Sequence, residues 1–396
     1  PNEKHRFNVF ASAQHINRDS YYGGGQDLNA YGNTTDLNWM AGSQYVYSFG
    51  KCIFMPSDLT AGIEFNQDKL EDNMWGYNRT VDQKVNIGSA FLQNEWKNEH
   101  WGFLIGGRLD KHNLIDHVIF SPRANLRYNP TENINLRFSY SSGFRAPQAF
   151  DEDLHVENVG GNVAMVELAD NLKEERSQSL SASADIYHRF GAFQVNFLVE
   201  GFYTKLSDVF ALTDGEVVDG ILTRTRYNAP GARVMGLTLE GKMAYLTKFQ
   251  VQAGVTLQQS HYSEPHVWNK EAPAVKKMMR TPNTYGYFTA TYTPIKPLSI
   301  ALSGTYTGSM LVPHEPVPGF LEKPITVNTK DFFDIGLKAA YDFKLYKSMN
   351  LQVNAGVQNI FNAYQNDFDK GADRDSGYIY GPSLPRSFFA GVKISY

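Results

Sequence analysis

Apolar and polar residues alternate with a period of two along nearly the whole chain. In one segment Leu351, Val353 and Val357 occupy one face. Gln352 and Asn354 occupy the opposite face. Successive side chains of a β-strand point to opposite sides of the sheet, so the alternation predicts strands with one apolar and one polar face. Sixteen such segments are present, and they begin near residues 5, 39, 58, 83, 101, 119, 133, 176, 192, 232, 248, 282, 297, 330, 348 and 384.

The connections between these segments are alternately short and long. Residues 98–100 and 190–192 are examples of the short class. An outer-membrane barrel has short periplasmic turns and long external loops, and a closed antiparallel sheet pairs its backbone groups inside lipid. The sequence therefore predicts an all-β fold, an antiparallel transmembrane β-barrel that occupies residues 1–396 as one domain. The predicted long loops are roughly 20–38, 67–82, 110–118, 143–175, 206–231, 261–281, 309–329 and 359–383.

The composition excludes several other classes of protein. No run of 18 or more apolar residues is present, which excludes a transmembrane helix. The net charge of −4, from 37 basic and 41 acidic residues, argues against a nucleic-acid binder. Cys52 is the only cysteine of the chain. No nucleophile elbow, zinc-protease motif or glycine-rich phosphate loop occurs, so the sequence indicates neither an enzyme nor a resident cofactor.

The C-terminal segment predicts the orientation of the barrel. Its apolar residues alternate up to the last position, which is an aromatic residue, as in the terminal strands of bacterial outer-membrane barrels. If this strand ends in the periplasm, the short turns are periplasmic and the long loops face outward. The alternating residues are Phe388, Ala390, Val392, Ile394 and Tyr396.

Three motifs resemble a known family. Phe144-Arg145-Ala146-Pro147 opens the longest loop, and it resembles the Phe-Arg-Ala-Pro segment of TonB-dependent outer-membrane receptors. Residues 170–177 are similar to the Asn-Pro-Asn-Leu-Lys-Pro-Glu stretch that follows it, although the first proline is missing and Glu174 stands where the second is common. Residues 357–386 are similar to the family's last two strands and final loop.

This resemblance implies a larger protein. Family members carry an N-terminal plug inside a 22-stranded barrel and a short box that contacts the energy transducer. We expect this chain to be the C-terminal part of such a barrel, without the plug and the first strands. The alternative is a complete, passive porin with 16 strands.

The resemblance also implies a function and partners. The expected function is active uptake of a metal chelate, which is siderophore-iron, haem or cobalamin, across the outer membrane of a Gram-negative bacterium. A TonB-type energy transducer would act through the missing N-terminal region. Outer-membrane lipid and lipopolysaccharide would surround the barrel.

Histidines are frequent in the predicted external loops. His155 follows the Phe-Arg-Ala-Pro segment, in the interval where haem receptors of the family place an axial ligand. The alternative, favoured by the neighbouring Asp151 and Asp153, is a solvent-exposed loop residue. Arg145 is a candidate ligand-binding residue, and the alternative is an ion pair with carboxylates of the lumen. The loop histidines are His112, His117, His155, His266 and His314, with His261 at a strand end.

The loop 261–281 combines cationic and aromatic residues. His261, His266, Trp268 and Arg280 are candidate contacts for an anionic chelate. The same basic loop can instead contact lipopolysaccharide phosphates, and the residues alone leave both interpretations open.

Two metal sites are weaker candidates. His314 lies close to Met310, and thioether and imidazole groups favour copper. Calcium is suggested by alternating carboxylates in the last long loop, although the spacing does not match an EF-hand. The alternative is a solvated, turn-rich loop. The calcium candidates are Asp367, Asp369, Asp373 and Asp375.

Overall fold

A computed structural model describes most of the chain as β-strands. The described residues are 4–21, 31–147, 157–159, 162–218, 221–346, 348–371 and 374–396. Within them, no helix is long and apolar enough to cross a membrane. The strands are β1 (His5–Tyr21), β2 (Tyr31–Cys52), β3 (Met55–Met74), β4 (Arg79–Lys97), β5 (Trp101–His112), β6 (Ile119–Thr131), β7 (Ile134–Arg145), β8 (Glu157–Val159), β9 (Asn162–Leu168), β10 (Glu175–Phe190), β11 (Phe193–Ser207), β12 (Val209–Val218), β13 (Ile221–Ala229), β14 (Ala232–Tyr245), β15 (Phe249–His266), β16 (Val275–Lys277), β17 (Thr284–Ile295), β18 (Leu298–Thr307), β19 (Leu311–His314), β20 (Ile325–Asn328), β21 (Phe332–Tyr346), β22 (Met349–Gln358) and β23 (Ser387–Ser395).

Seventeen strands form one large sheet. One of them, β16, has only three residues and pairs with the outer end of β15. The other sixteen follow the order of the chain from β1 to β23, and each is antiparallel to the next. This topology confirms the prediction that the chain contributes about sixteen antiparallel strands to the wall of a β-barrel. Among the described residues, β1 and β23 do not pair with each other.

Tight turns lie at one end of the sheet and long connections at the other. The turn between β10 and β11 contains Gly191 in the left-handed region, with φ 58°. Glycine adopts this conformation without a steric penalty, so the turn can reverse the chain within two residues. The end of β23 lies on the same side as the tight turns, which is the predicted periplasmic side. We call the opposite end of the sheet the outer end.

The predicted long loop at 67–82 is wrong. β3 continues to Met74, a short 3₁₀ turn spans Trp75–Tyr77, and β4 starts at Arg79. β2 has 22 residues, about twice the length that a membrane-spanning strand needs. Beyond the membrane both faces of a hairpin meet water, so polar residues such as Asp68 and Lys69 occupy both faces. The alternation is lost there although the strands continue.

The outer connections contain strands that the alternation did not predict. β8, β9, β12 and β13 form a separate four-stranded sheet, in which β13 runs parallel to β9. This sheet joins the connection after β7 to the connection after β11. β19 and β20 form a hairpin between β18 and β21. The long loops are therefore folded against one another.

The two faces of the large sheet differ in chemistry. Large apolar side chains are exposed on one face, which is the surface expected to contact lipid; Ile63, Ile105 and Val392 are 63%, 62% and 67% exposed. The other face carries polar networks. Arg108 of β5 donates to Asp110 of the same strand at 2.7 Å and to Glu64 at 2.9 Å, and the second ion pair reaches across to β3. We call the apolar face the outer face and the polar face the inner wall.

Gly231 provides a test of the packing between β11 and β14. A Cβ atom there would lie 2.0 Å from the backbone oxygen of Leu206, which cannot move without breaking the strand pair. We expect Gly231→Ala to destabilise the barrel by ~1–3 kcal/mol, as overpacking typically does. Thermal unfolding in detergent measures the effect. Gly241→Ala on β14 is the matched control, because no described atom lies within 4 Å of its added Cβ. An equal Tm for the two variants would contradict the close contact between Gly231 and the backbone of Leu206.

Candidate functional site

Four outer connections meet in one assembly. The segments 267–283 and 308–331 contact each other and the described residues of 359–371 and 374–386. The hairpin β12–β13 contacts them through Arg224. We call this assembly the loop cluster. Its members follow β15, β18, β22 and β11, so the contacts join parts of the wall that are far apart along the sheet. The loop cluster is therefore a folded structure at the outer end of the barrel.

A buried histidine–carboxylate pair holds the centre of the loop cluster. His314 Nε2 lies 2.8 Å from Asp369 Oδ2, and both side chains are more than nine-tenths buried. The imidazole also stacks on Tyr378, with ring centroids 3.7 Å apart and planes 7° from parallel. Because a buried polar group without a partner is costly, this pair ties the β19–β20 hairpin to the loop after β22.

Two tyrosines hold the next carboxylate. Tyr380 Oη donates to Asp367 Oδ2 at 2.6 Å, and Tyr378 Oη donates to the same oxygen at 3.3 Å. Burial and the nearby negative charge of Asp367 raise the pKa of Tyr378 to about 12. Burial and the hydrogen bond to Asp367 also raise the pKa of Tyr380. Both phenols therefore remain protonated donors at neutral pH.

Glu315 joins three of the connections. Its carboxylate lies 3.4 Å from Arg224 and accepts a hydrogen bond from Asn269 at 2.9 Å. Its backbone N–H donates to Asp375 Oδ2 at 2.9 Å. No periodic pattern of residues points to Glu315, because its partners lie 46 to 91 residues away in the chain.

Arg280 stabilises the loop cluster through its backbone contacts. Its guanidinium donates to the carbonyl oxygens of Gly377 and Ile379, the latter at 2.8 Å. Its own N–H donates to Leu311 O at 2.7 Å, and its φ of 55° lies in the left-handed region. Arg280 thus joins the loop after β15 to β19 and to the loop after β22. The role predicted for it in ligand binding stays a prediction.

Arg145 lies at the base of the connection after β7. Its Nε lies 3.3 Å from Glu175 Oε2, on the paired strand β10. Its guanidinium carbon also lies 4.9 Å from the ring centroid of Phe210, while Arg226 approaches the same ring at 5.8 Å. Cations over an aromatic face are attracted by its quadrupole. These contacts fasten the four-stranded loop sheet to the barrel wall.

A second ionic cluster lies beside it. Glu174 accepts hydrogen bonds from Arg176 at 2.9 Å and contacts His117 Nε2 at 3.0 Å. Burial opposes ionisation, but the hydrogen bonds from Arg176, the backbone and His117 hold the pKa of Glu174 below its usual value. His112, predicted in the same loop, is instead the last residue of β5 and is fully buried; its Nδ1 accepts the N–H of Leu114 at 3.0 Å.

The remaining histidine and tryptophan candidates lie at the outer end of β15 or just beyond it. His261 pairs in register with Arg233 and Lys277 near the outer end of β15. The ring of His266 packs at a tilt of 36° against Tyr262, with centroids 4.8 Å apart, and burial lowers the pKa of His266. Trp268 Nε1 is buried without a hydrogen-bond partner among the described residues. Within the described residues, no hydrogen bond, ion pair or ring contact joins His261, His266 or Trp268 to His314.

The calcium candidates mostly bond to the protein itself. Asp367 accepts from the two tyrosines, Asp369 pairs with His314, and Asp375 accepts the backbone N–H groups of Glu315 and Gly377. In the described part of the chain, no three His, Cys, Asp or Glu side chains are grouped to hold a metal ion. Asp373 and His155 lie outside the described residues, so the calcium and haem hypotheses stay predictions.

The inner wall carries an arginine group that the sequence analysis missed. Arg127 of β6 pairs in register with Arg137 of β7, and Arg123 lies four residues above Arg127, roughly 13 Å away. Within the described residues, none of the three forms an ion pair with a carboxylate. Arg123 and Arg137 are exposed, whereas Arg127 is half-buried and donates to the carbonyl oxygen of Asn98 at 3.0 Å. The three arginines give this part of the inner wall a positive charge. We call Arg123, Arg127 and Arg137 the arginine track.

A family model described as "TonB dependent receptor-like, beta-barrel" matches residues 2–360. The chain belongs to this family of TonB-dependent receptors, which are transport receptors of the Gram-negative outer membrane. A search of curated proteins finds no match. Nothing in the comparisons supports the passive porin.

Several solved structures share the fold. A variant of the ferric enterobactin receptor PfeA of Pseudomonas aeruginosa aligns with a TM-score of 0.72 and 17% identity, over 98% of this chain and 59% of that one. The ferric-catecholate import receptor Fiu of E. coli K12 gives 0.70 and 14%, over 99% and 62%. The copper transporter OprC gives 0.65 and 12%, over 98% and 62%. The chain thus spans about three fifths of the length of each of these similar structures.

The pair between His314 and Asp369 can be tested directly. We expect His314→Ala to leave the buried carboxylate without its partner and to loosen the loop after β22. Hydrogen exchange of residues 375–381 should become at least ~10-fold faster, because local opening then costs less free energy. Glu322→Gln, an exposed change in the same connection, is the control. Unchanged exchange in His314→Ala would show that the pair does not hold the loop.

Proposed function

We propose that this chain is the barrel portion of a transporter that takes up a metal chelate actively, and that the chelate is a ferric siderophore. The observation that carries the proposal is the arginine track on the inner wall. Ferric chelates of catecholates are anionic, and a cationic wall with low-dielectric surroundings raises the local concentration of an anion. The loop cluster would contribute aromatic surface at the outer entrance.

The similar structures support the same substrate class. Two of them carry names that specify ferric enterobactin and ferric catecholates, and both align over nearly the whole of this chain. Identities of 17% and 14% show a shared fold only. The support for the substrate class that comes from this chain itself is therefore the arginine track.

Copper and haem have less support from the described residues. The name of OprC specifies copper. Here, however, Met310 packs with Val312 and Tyr378 in a buried cluster, and His314 Nε2 contacts Asp369. Neither group is presented to a ligand. The haem hypothesis rests on His155, whose surroundings the structure does not describe.

The energised step would belong to the rest of the receptor. Members of this family interact with TonB, and we propose that a TonB-type transducer acts through a region outside this chain. The barrel would supply the wall and the loops, and no enzymatic step is needed for release.

Removal of the inner arginines tests the substrate class. We expect Arg123→Ser combined with Arg137→Ser to lower uptake of iron from ferric enterobactin at least ~10-fold, since two charged contacts with the anion are lost. Uptake is measured with labelled iron in iron-limited cells that produce the full-length receptor. Lys338→Ser, which removes an exposed cation from the inner face of β21, is the matched control. Equal uptake by the double variant and the wild type would refute the role of the arginine track.

Dissipating the proton gradient tests active transport. We expect an uncoupler to abolish iron uptake while leaving binding of the ferric chelate to the cells intact, because binding does not require the transducer. Uptake that continues at an unchanged rate would indicate passive diffusion and would contradict the proposed function.

A further inference from the structure

The outer face carries a cationic row that the uptake function does not use. Lys205 of β11, Arg233 of β14, His261 of β15 and Lys277 of β16 are consecutive cross-strand partners. Directly opposite residues of paired strands project from the same face of a sheet. Lys205 and Arg233 are exposed, and His261 and Lys277 are partly exposed. We call these four residues the outer cationic row.

The row lies on the membrane side of the wall. Two residues below it along the strands, Tyr203 and Met235 are partners, and four residues below it Leu237 and Leu257 are partners. Tyr203, Leu237 and Leu257 are 39%, 39% and 48% exposed. Leu237 and Leu257 are exposed on the apolar outer face. Arg233 and His261 lie four residues from them on the same strands, so the cationic row projects from that face and not into the lumen.

The depth of the row matches the lipid headgroups. Tyr140, Leu180 and Tyr203 form the register row below it. Tyrosines are enriched where the hydrocarbon meets the headgroup region. Two residues along a strand span roughly 7 Å, which places the cations just outside this boundary. Because the row lies toward the outer end of the strands, it faces the outer leaflet.

An apolar groove lies directly beneath the row. It has a volume of about 860 Å³ and crosses β7, β10, β11, β14 and β15. Ala182 and Gly201, which are cross-strand partners, form its floor. Large side chains form its sides, and these are Phe138, Leu180, Tyr203, Leu237 and Leu257. Small residues between large ones leave a depression that an acyl chain can fill.

In the part of the chain that the structure describes, no carboxylate forms an ion pair with Lys205, Arg233, His261 or Lys277. The neighbouring Arg176 differs, because it is paired with Glu174 at 2.7 Å. Unpaired cations above an apolar groove are complementary to a lipid that carries a phosphate on its headgroup and several acyl chains.

We propose that the outer cationic row and the groove form a binding site for the phosphorylated glycolipid of the outer leaflet, lipopolysaccharide. Lys205, Arg233 and Lys277 contact its phosphates, His261 donates a hydrogen bond from its imidazole N–H, and one acyl chain lies over Ala182 and Gly201. His261 then has a partner outside the lumen, and the site is independent of the transported substrate.

Charge removal tests the site. The full-length receptor is purified in detergent, and binding of fluorescent lipopolysaccharide is measured for the wild type and for Lys205→Ser/Arg233→Ser/Lys277→Ser. We expect the triple variant to bind at least ~10-fold more weakly, because each cation near a phosphate-bearing surface contributes to affinity. The matched control is Lys270→Ser/Lys276→Ser/Lys330→Ser, which removes three exposed cations of the outer connections and should bind like the wild type.

The lipid itself distinguishes between possible ligands. Dephosphorylated lipopolysaccharide should bind at least ~10-fold more weakly to the wild type, and inorganic phosphate at a similar concentration should not displace the intact lipid. Gly201→Leu, which fills the floor where no described atom lies within 4 Å of the added Cβ, should weaken binding while the barrel stays folded. Heat-modifiable gel mobility checks the fold of every variant. Equal binding by the folded triple variant, or displacement by free phosphate, would overturn the proposal.

Discussion

Backbone hydrogen bonding inside lipid is the constraint on which this structure depends. No water is available there, so each strand must pair with its neighbours along the whole span. The sixteen long strands pair in chain order, and β1 and β23 each pair with one neighbour among the described residues. This order leaves the tight turns at one end and the long connections at the other. The same pairing extends past the membrane in β2, β3 and β4, where the strands continue as a hairpin in water.

The register between paired strands then determines which side chains lie next to each other. The arginine track arises because Arg127 and Arg137 are opposite each other on β6 and β7. The outer cationic row arises in the same way on β11, β14, β15 and β16. One set lies on the inner wall and the other on the outer face, although both are rich in basic residues. Whether a position along the strand is odd or even therefore determines which of the two faces its side chain occupies.

The outer connections are stabilised by different interactions, because they are surrounded by water and by one another. Pairs such as His314 with Asp369 and Arg224 with Glu315 join segments 55 and 91 residues apart. Hydrogen bonds and ion pairs hold the loop cluster together, in addition to the small buried apolar cluster of Met310, Val312 and Tyr378. Tyr378 and Tyr380 supply the aromatic surface and also fix Asp367, so structural and surface roles coincide in the same residues.

The sequence by itself determined the strand number, the antiparallel order and the membrane environment, because a period of two is a local property of the chain. The Phe144-Arg145-Ala146-Pro147 motif also identified the family correctly. The sequence did not reveal the strands inside the loops or the extension of β3 to Met74, since both faces are polar there. Only the tertiary structure brought His314 to Asp369 and placed His261 beside Arg233, because such neighbours are set by register and loop packing across distant parts of the chain.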